Sequence, residues 1–110
     1  MQEIETINSV IEDEYNYLIE YLTDEYNAIS GQMFGKKCIK VENKAAVALF
    51  KEYIVFKLPK EDVTETLKLN GSALWDPSGI GRAMKEWVQL PIEHKSQFKE
   101  LSIKSVEYIS

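Results

Sequence analysis

The chain has one cysteine, one histidine, and no apolar run near the roughly 18 residues a membrane span needs. A lone Cys38 can form neither an intramolecular disulfide nor a cysteine metal cluster. His94 lacks the spaced histidine or cysteine partners that tetrahedral zinc requires, and it reads as a surface histidine near a helix start. No lysine or arginine occurs before Lys36. The opening Met1-Gln2-Glu3-Ile4-Glu5 therefore has acids where a signal peptide carries basic residues. These absences lead to the expectation of a soluble cytoplasmic protein with no membrane segment. Phosphate loops and nucleophile elbows are missing, and Gly79-Ile80-Gly81 lacks the third glycine of a dinucleotide fingerprint. No catalytic, cofactor-binding or metal-binding residue is assigned, and the chain is not expected to be an enzyme.

What remains is enough for a folded domain. At 110 residues and 45% apolar content, one core without staples is the expectation. Charge is segregated: residues 1–35 hold eight acids and no base, and the rest has a small basic excess. An acidic face repels polyanions, so general nucleic-acid binding is disfavoured. The expected arrangement sets the acidic helix beside the lysines of the same molecule.

Ile4, Ile7, Ile11, Tyr15, Leu18 and Leu22 recur at helical spacing and predict an acidic helix over 1–25, stopped by Ser30-Gly31. Residues 32–58 then read as a β-meander, with turns at Gly35-Lys36, Asn43-Lys44 and Lys51-Glu52. Alanines at 45, 46 and 48 suggest a strand under a close-lying helix. Pro59 fits a first helical position and Asn70-Gly71 an ending, which predicts a short helix over 59–70. Two strands follow within 73–90, split by an Asp76-Pro77-Ser78-Gly79 type I turn. A last helix spans 92–109; Ser102 and Ser105 allow close approach to the sheet, and Ile103 points off its apolar face. Strands grouped between helices mean one α+β domain over 1–110, a two-layer antiparallel sheet of five to six strands with helices on one face. The opposite face must be solvated, closed by an extra element, or covered by another chain.

Met33-Phe34-Gly35, Lys57-Leu58-Pro59, Asp76-Pro77, Gly81-Arg82-x-Met84-Lys85-x-Trp87-Val88 and Pro91 occur in order. Together they resemble the N-terminal domain family of the TfoX/Sxy competence regulators, over roughly residues 28–109. The resemblance implies a bacterial α+β domain that acts in regulation through a partner transcription factor. In the two-domain regulators a C-terminal domain follows; the 110 residues here match only the first, so a stand-alone domain is expected.

Several residues invite a role. Lys57 and Arg82 are the charges within the matched motifs, and beside Trp75 and Trp87 they would form a cationic site for a carboxylate, phosphate or acidic loop. The plainer alternative has Arg82 orienting the turn through Asp76, and Lys57 on a solvated strand face. Trp75, Trp87, Phe34 and Met84 read most simply as core. Trp87 and Val88, as neighbours on a strand, point to opposite faces. Lys36, Lys37 and Lys40, with Lys44 and Phe34, are the best nucleic-acid candidates; guarding a sheet edge is the simpler duty for such lysines. Lys36, Lys40 and Lys44 share one side of the hairpin if the strand is regular. Cys38 between Lys37 and Lys40 would have a lowered pKa if exposed. The leading expectation is a non-catalytic regulatory or protein-interaction module, homodimeric or binding another protein, with Trp75, Trp87, Lys57, Arg82 and Ile103 on its surface. A transcription-linked nucleic-acid protein and a small-ligand-binding or enzymatic protein built on Lys57 and Arg82 are the alternatives.

Overall fold

The computed structural model describes the backbone of residues 2–110 and the side chains of residues 9–110. Ile4 and Ile7 of the expected helix face lie outside the described side chains. Helix α1 runs Gln2–Tyr26, and Ile11, Tyr15, Leu18 and Leu22 are buried, as the spacing requires. Its stop is Asn27 rather than Ser30-Gly31: Asn27 takes a left-handed φ of 58° and donates its amide to Thr23 O at 3.1 Å. Asparagine serves there because it tolerates that region better than other residues with a β-carbon.

Ser30 and Gly31 instead belong to strand β1 (Ile29–Met33), which precedes β2 (Lys36–Val41), β3 (Lys44–Phe50) and β4 (Tyr53–Lys57). Helix α2 covers only Lys60–Thr66, ending before the expected residue 70. The chain then tightens through i→i+3 bonds, Lys68 N–H to Glu65 O and Leu69 N–H to Thr66 O, before Gly71 at φ 81°. Pro59 caps the helix from outside, in extended geometry. Strands β5 (Ala73–Trp75) and β6 (Met84–Pro91) follow. A 3-10 helix at Ile92–Gln97 leads into helix α2's longer counterpart, α3 (Phe98–Ile109), so the first turns of the expected last helix are not α-helical.

All six strands form one antiparallel sheet in the order β1-β2-β3-β4-β6-β5. Helices α1 and α3 cover one face, burying Ile39, Val47, Ile54, Phe56, Val88 and Leu90. Ser102 and Ser105 are fully buried in α3, which rests on β3 and β4, as their small size permits. Ile103 is half-buried.

The other face is neither flat nor fully solvated. Cys38, Ala48, Phe50, Val55, Trp75 and Trp87 make a second, smaller core there. In a flat sheet the outermost strands would lie about 24 Å apart, five spacings of ~4.8 Å. Yet Phe34, at the β1–β2 turn on one edge, meets Trp75 of the opposite edge strand with ring centroids 6.3 Å apart. The sheet curls so that its own edges close much of this face. Two irregularities promote the curl. The β2–β3 register shifts between Ile39 and Lys40, which leaves Ala46 as an extra residue and sends both Ala46 and Val47 to the helix side. The β5–β6 register shifts between Leu74 and Trp75. Bulges of this kind add local twist and bend the strand.

Candidate functional site

The concave face is built around two tryptophans. Trp75, fully buried, stands edge-on to Trp87 at 5.4 Å and to Phe50 at 5.8 Å. Quadrupole complementarity favours such edge contacts over stacked sandwiches. Trp87 points to this face and Val88 to the helix face, as strand alternation demands. Phe34 is the exception among the expected core residues: 62% of it is exposed, at a turn where Phe34 and Gly35 both have positive φ. A two-residue hairpin with that geometry puts its first residue at the tip, away from the core.

Lysines rim the aromatics. Lys36 and Lys51 lie over Phe50 at 5.5 and 5.1 Å, and Lys57 lies over Trp87 at 6.0 Å. Lys57 is thus half-buried against an indole rather than on an open solvated face. Arg82 does not join it. The Asp76 carboxylate accepts the backbone amides of Ser78, Gly79, Gly81 and Arg82 and the Ser78 hydroxyl, the last at 2.6 Å. The turn expected at Asp76–Gly79 is present, with Gly79 N–H to Asp76 O at 3.3 Å, but Arg82 supports it through its amide and not its guanidinium. These bonds hold the Asp76 carboxyl below the usual aspartate value, the Ser78 hydroxyl foremost.

The lysines proposed for nucleic acid are dispersed. Lys36 sits on Phe50, and Lys37 is exposed. Lys40 crosses Gly31 so closely that a β-carbon there would lie 3.0 Å from its Cε. Lys44 pairs with Val41 on the helix side and donates to Ile109 O at 3.3 Å, near the end of α3. The tight two-residue Glu42-Asn43 turn pairs Lys44 with Val41 and Ala45 with Lys40, which puts Lys44 on the face opposite Lys40. Strand β2 is also internal, so these lysines do not line the sheet edge; β1 does, and it carries no charge.

Between the last turn of α3 and the rim of the concave face lies a groove of about 580 Å³. Met33, Ala45, Trp87 and Ile109 give it apolar walls, and Lys57 and Lys44 are its cations. Glu86 also lines it, but its carboxylate accepts the Tyr108 hydroxyl at 3.0 Å, which holds the Tyr108 pKa above its usual value. The sequence marked Lys57 and Trp87; it missed Tyr108 and Glu86, whose meeting depends on where α3 ends over β6.

The chain matches no protein-family model, no curated protein and no solved structure. The TfoX-like motifs therefore stand on their order and spacing alone.

The other expected residues find structural places. The Cys38 thiol is buried, and desolvation pushes its pKa up despite the opposing effect of Lys40. His94 is half-buried rather than open to solvent: its side chain is 14% exposed, and Nε2 donates to Asn70 O at 2.6 Å, tying the 3-10 helix to the α2–β5 connection. Among the described residues, no α1 carboxylate forms an ion pair; the three pairs are Lys68–Glu65, His94–Glu93 and Lys104–Asp62. The acidic face of α1 therefore looks to solvent, and its cationic neighbour Lys99 sits over the Tyr21 ring at 4.4 Å. Among the described residues, no group of three or more His, Cys, Asp or Glu could hold a metal, and no helix is long and apolar enough to cross a membrane.

Proposed function

We propose that this chain is a non-catalytic protein-interaction module of the regulatory kind its TfoX-like motifs imply, and that it works by pairing β1 with β1 of a second copy. The observation that carries this is the bare edge at Ile29–Met33, whose five residues include no lysine, glutamate, aspartate or proline. Edge strands without such guards recruit another strand, because their outer amides and carbonyls have no ladder partner.

The pattern of β1 suits itself. Antiparallel pairing centred on Gly31 sets Ile29 against Met33 on the concave side and Ser30 against Gln32 on the helix side. Apolar meets apolar and polar meets polar, as an isologous two-fold contact requires. Ile29, 58% exposed, gains cover in the pair. The opposition comes from charge: each Lys40 stem crosses its own Gly31, so pairing brings two ammonium groups together near the axis. Salt screens that repulsion, and dimerisation should strengthen as ionic strength rises.

Sedimentation equilibrium tests this directly. The expected result is a monomer–dimer equilibrium that Lys40→Ser tightens and Ile29→Lys abolishes, with the thermal midpoint of the monomer unchanged. A chain that stays monomeric to millimolar concentration, or a dimer indifferent to Ile29→Lys, overturns the proposal.

A further inference from the structure

The groove at the end of α3 has an imbalance among its polar groups. Glu86 is engaged by Tyr108, and Lys44 by the Ile109 carbonyl. Lys57 is different: among the described residues it has no ion-pair or hydrogen-bond partner, and its ammonium lies over the Trp87 ring at 6.0 Å. A half-buried ammonium gains most from an anionic hydrogen-bond partner, and the missing partner in this groove is an anion. The walls decide what the anion is attached to. Met33, Ala45 and Ile109 offer apolar contact, and the Trp87 indole adds a single N–H donor, too little for a strongly hydrated or multiply charged group.

We propose that this groove binds a small amphipathic monocarboxylate, with the carboxylate on Lys57 and the apolar body against Met33, Ala45 and Ile109. Its volume falls within the ~300–1,000 Å³ of ordinary small-molecule sites. Charge sets the valence. Lys44 is held by the Ile109 carbonyl at the negative end of α3 and Glu86 by Tyr108, which leaves Lys57 as the one cation for a carboxylate and too little for a phosphate dianion. Tyr108, held by Glu86, adds one more wall. Arg82 has no part in the site, because it stands on the Asp76 loop and does not line the groove. The site shares one wall residue, Met33, with the β1 pair, and its test reads a different property, ligand binding rather than mass.

The experiment is calorimetric titration of the full chain with octanoate and with 3-phenylpropionate, and with 1-octanol, 3-phenylpropanol and inorganic phosphate as counter-probes. Amide shifts in a nitrogen-correlated NMR spectrum locate the site. The expected result is saturable one-to-one binding of at least one carboxylate, with shifts at Lys57, Trp87 and Tyr108. Lys57→Gln should weaken it at least about tenfold, the loss expected for one charge-assisted hydrogen bond. Lys57→Arg should retain it, and Glu86→Gln, which removes the groove's own negative charge, should strengthen it several-fold. The opposite signs of these variants separate a site effect from a general loss of folding. Absence of saturable carboxylate binding up to roughly 10 mM, a range where even millimolar affinity is measurable, overturns the proposal. Alcohol or phosphate binding as tight as the carboxylate, or binding indifferent to Lys57→Gln, does the same.

Discussion

Tyr15 gives the sharpest test of how the helix layer meets the sheet. It lies on the inner face of α1, 3% exposed, and its hydroxyl is buried with no hydrogen-bond partner among the protein groups. Burial pushes its pKa well above the ordinary tyrosine value, so it stays a neutral phenol across the working range. A donor stripped of water and left without a partner costs about 1–3 kcal/mol. Tyr15→Phe removes that donor and keeps the ring. It also leaves a gap of one oxygen atom, a packing loss of under ~1 kcal/mol by analogy with Ile→Val. The balance predicts stabilisation of about 1 kcal/mol, or roughly 4 °C in Tm for a domain of this size. Urea unfolding followed by far-ultraviolet circular dichroism measures it, with an unchanged m-value showing that the denatured state is unaltered. Tyr17→Phe, on the exposed side of the same helix, is the control and should stay within ~0.5 kcal/mol of the parent. Destabilisation of Tyr15→Phe by 1 kcal/mol or more would show that the hydroxyl is satisfied, and would refute this account of the α1–sheet contact.

Asp76→Ala should free the amides of Ser78, Gly79, Gly81 and Arg82 together, speeding hydrogen exchange at Gly81 and Arg82 without moving the global unfolding midpoint by more than a few degrees. The carboxyl's folded pKa is depressed, so the order it confers is fully present above the usual aspartate value. That order is lost only as pH falls through the lower folded value, and a titration of the Gly81 and Arg82 amide shifts shows where. Ser105→Leu should cost roughly 1–3 kcal/mol by overpacking, because Ser105 is fully buried where α3 rests on the sheet; denaturant unfolding that shows no loss would mean α3 stands farther off.

Hydrophobic periodicity made the class, the element order and most helix and strand positions legible. Alternation correctly sent Trp87 and Val88 to opposite faces, and the small serines of α3 marked a close approach. What periodicity does not carry is any departure from regular geometry. Ser30-Gly31 has the composition of a stop, but the helix had already ended on the left-handed Asn27, a conformation one asparagine in many adopts. The two-residue Glu42-Asn43 turn pairs Lys44 with Val41 and so sends it to the face opposite Lys40, and the bulge at Ala46, which turns both Ala46 and Val47 to the helix side, leaves no compositional mark. Lys57 and Arg82 sit in motifs of similar weight, but the Asp76 loop, built on backbone amides, carries Arg82 clear of the groove. Tyr108 and Glu86, 22 positions apart, come together only through the tertiary placement of α3.

The curl of the sheet has an optical consequence. Both tryptophans of the chain lie in the concave core, and none lies in the core beneath the helices. With rings 5.4 Å apart at an interplanar angle of 62°, the two indoles are held in a fixed asymmetric packing, and they should give a strong near-ultraviolet circular dichroism band. That band vanishes when the curl opens even if α1 and α3 stay helical. The molecule thus labels one of its two cores spectroscopically, and far-ultraviolet and near-ultraviolet melting curves recorded on the same unmodified sample report whether the two come apart together.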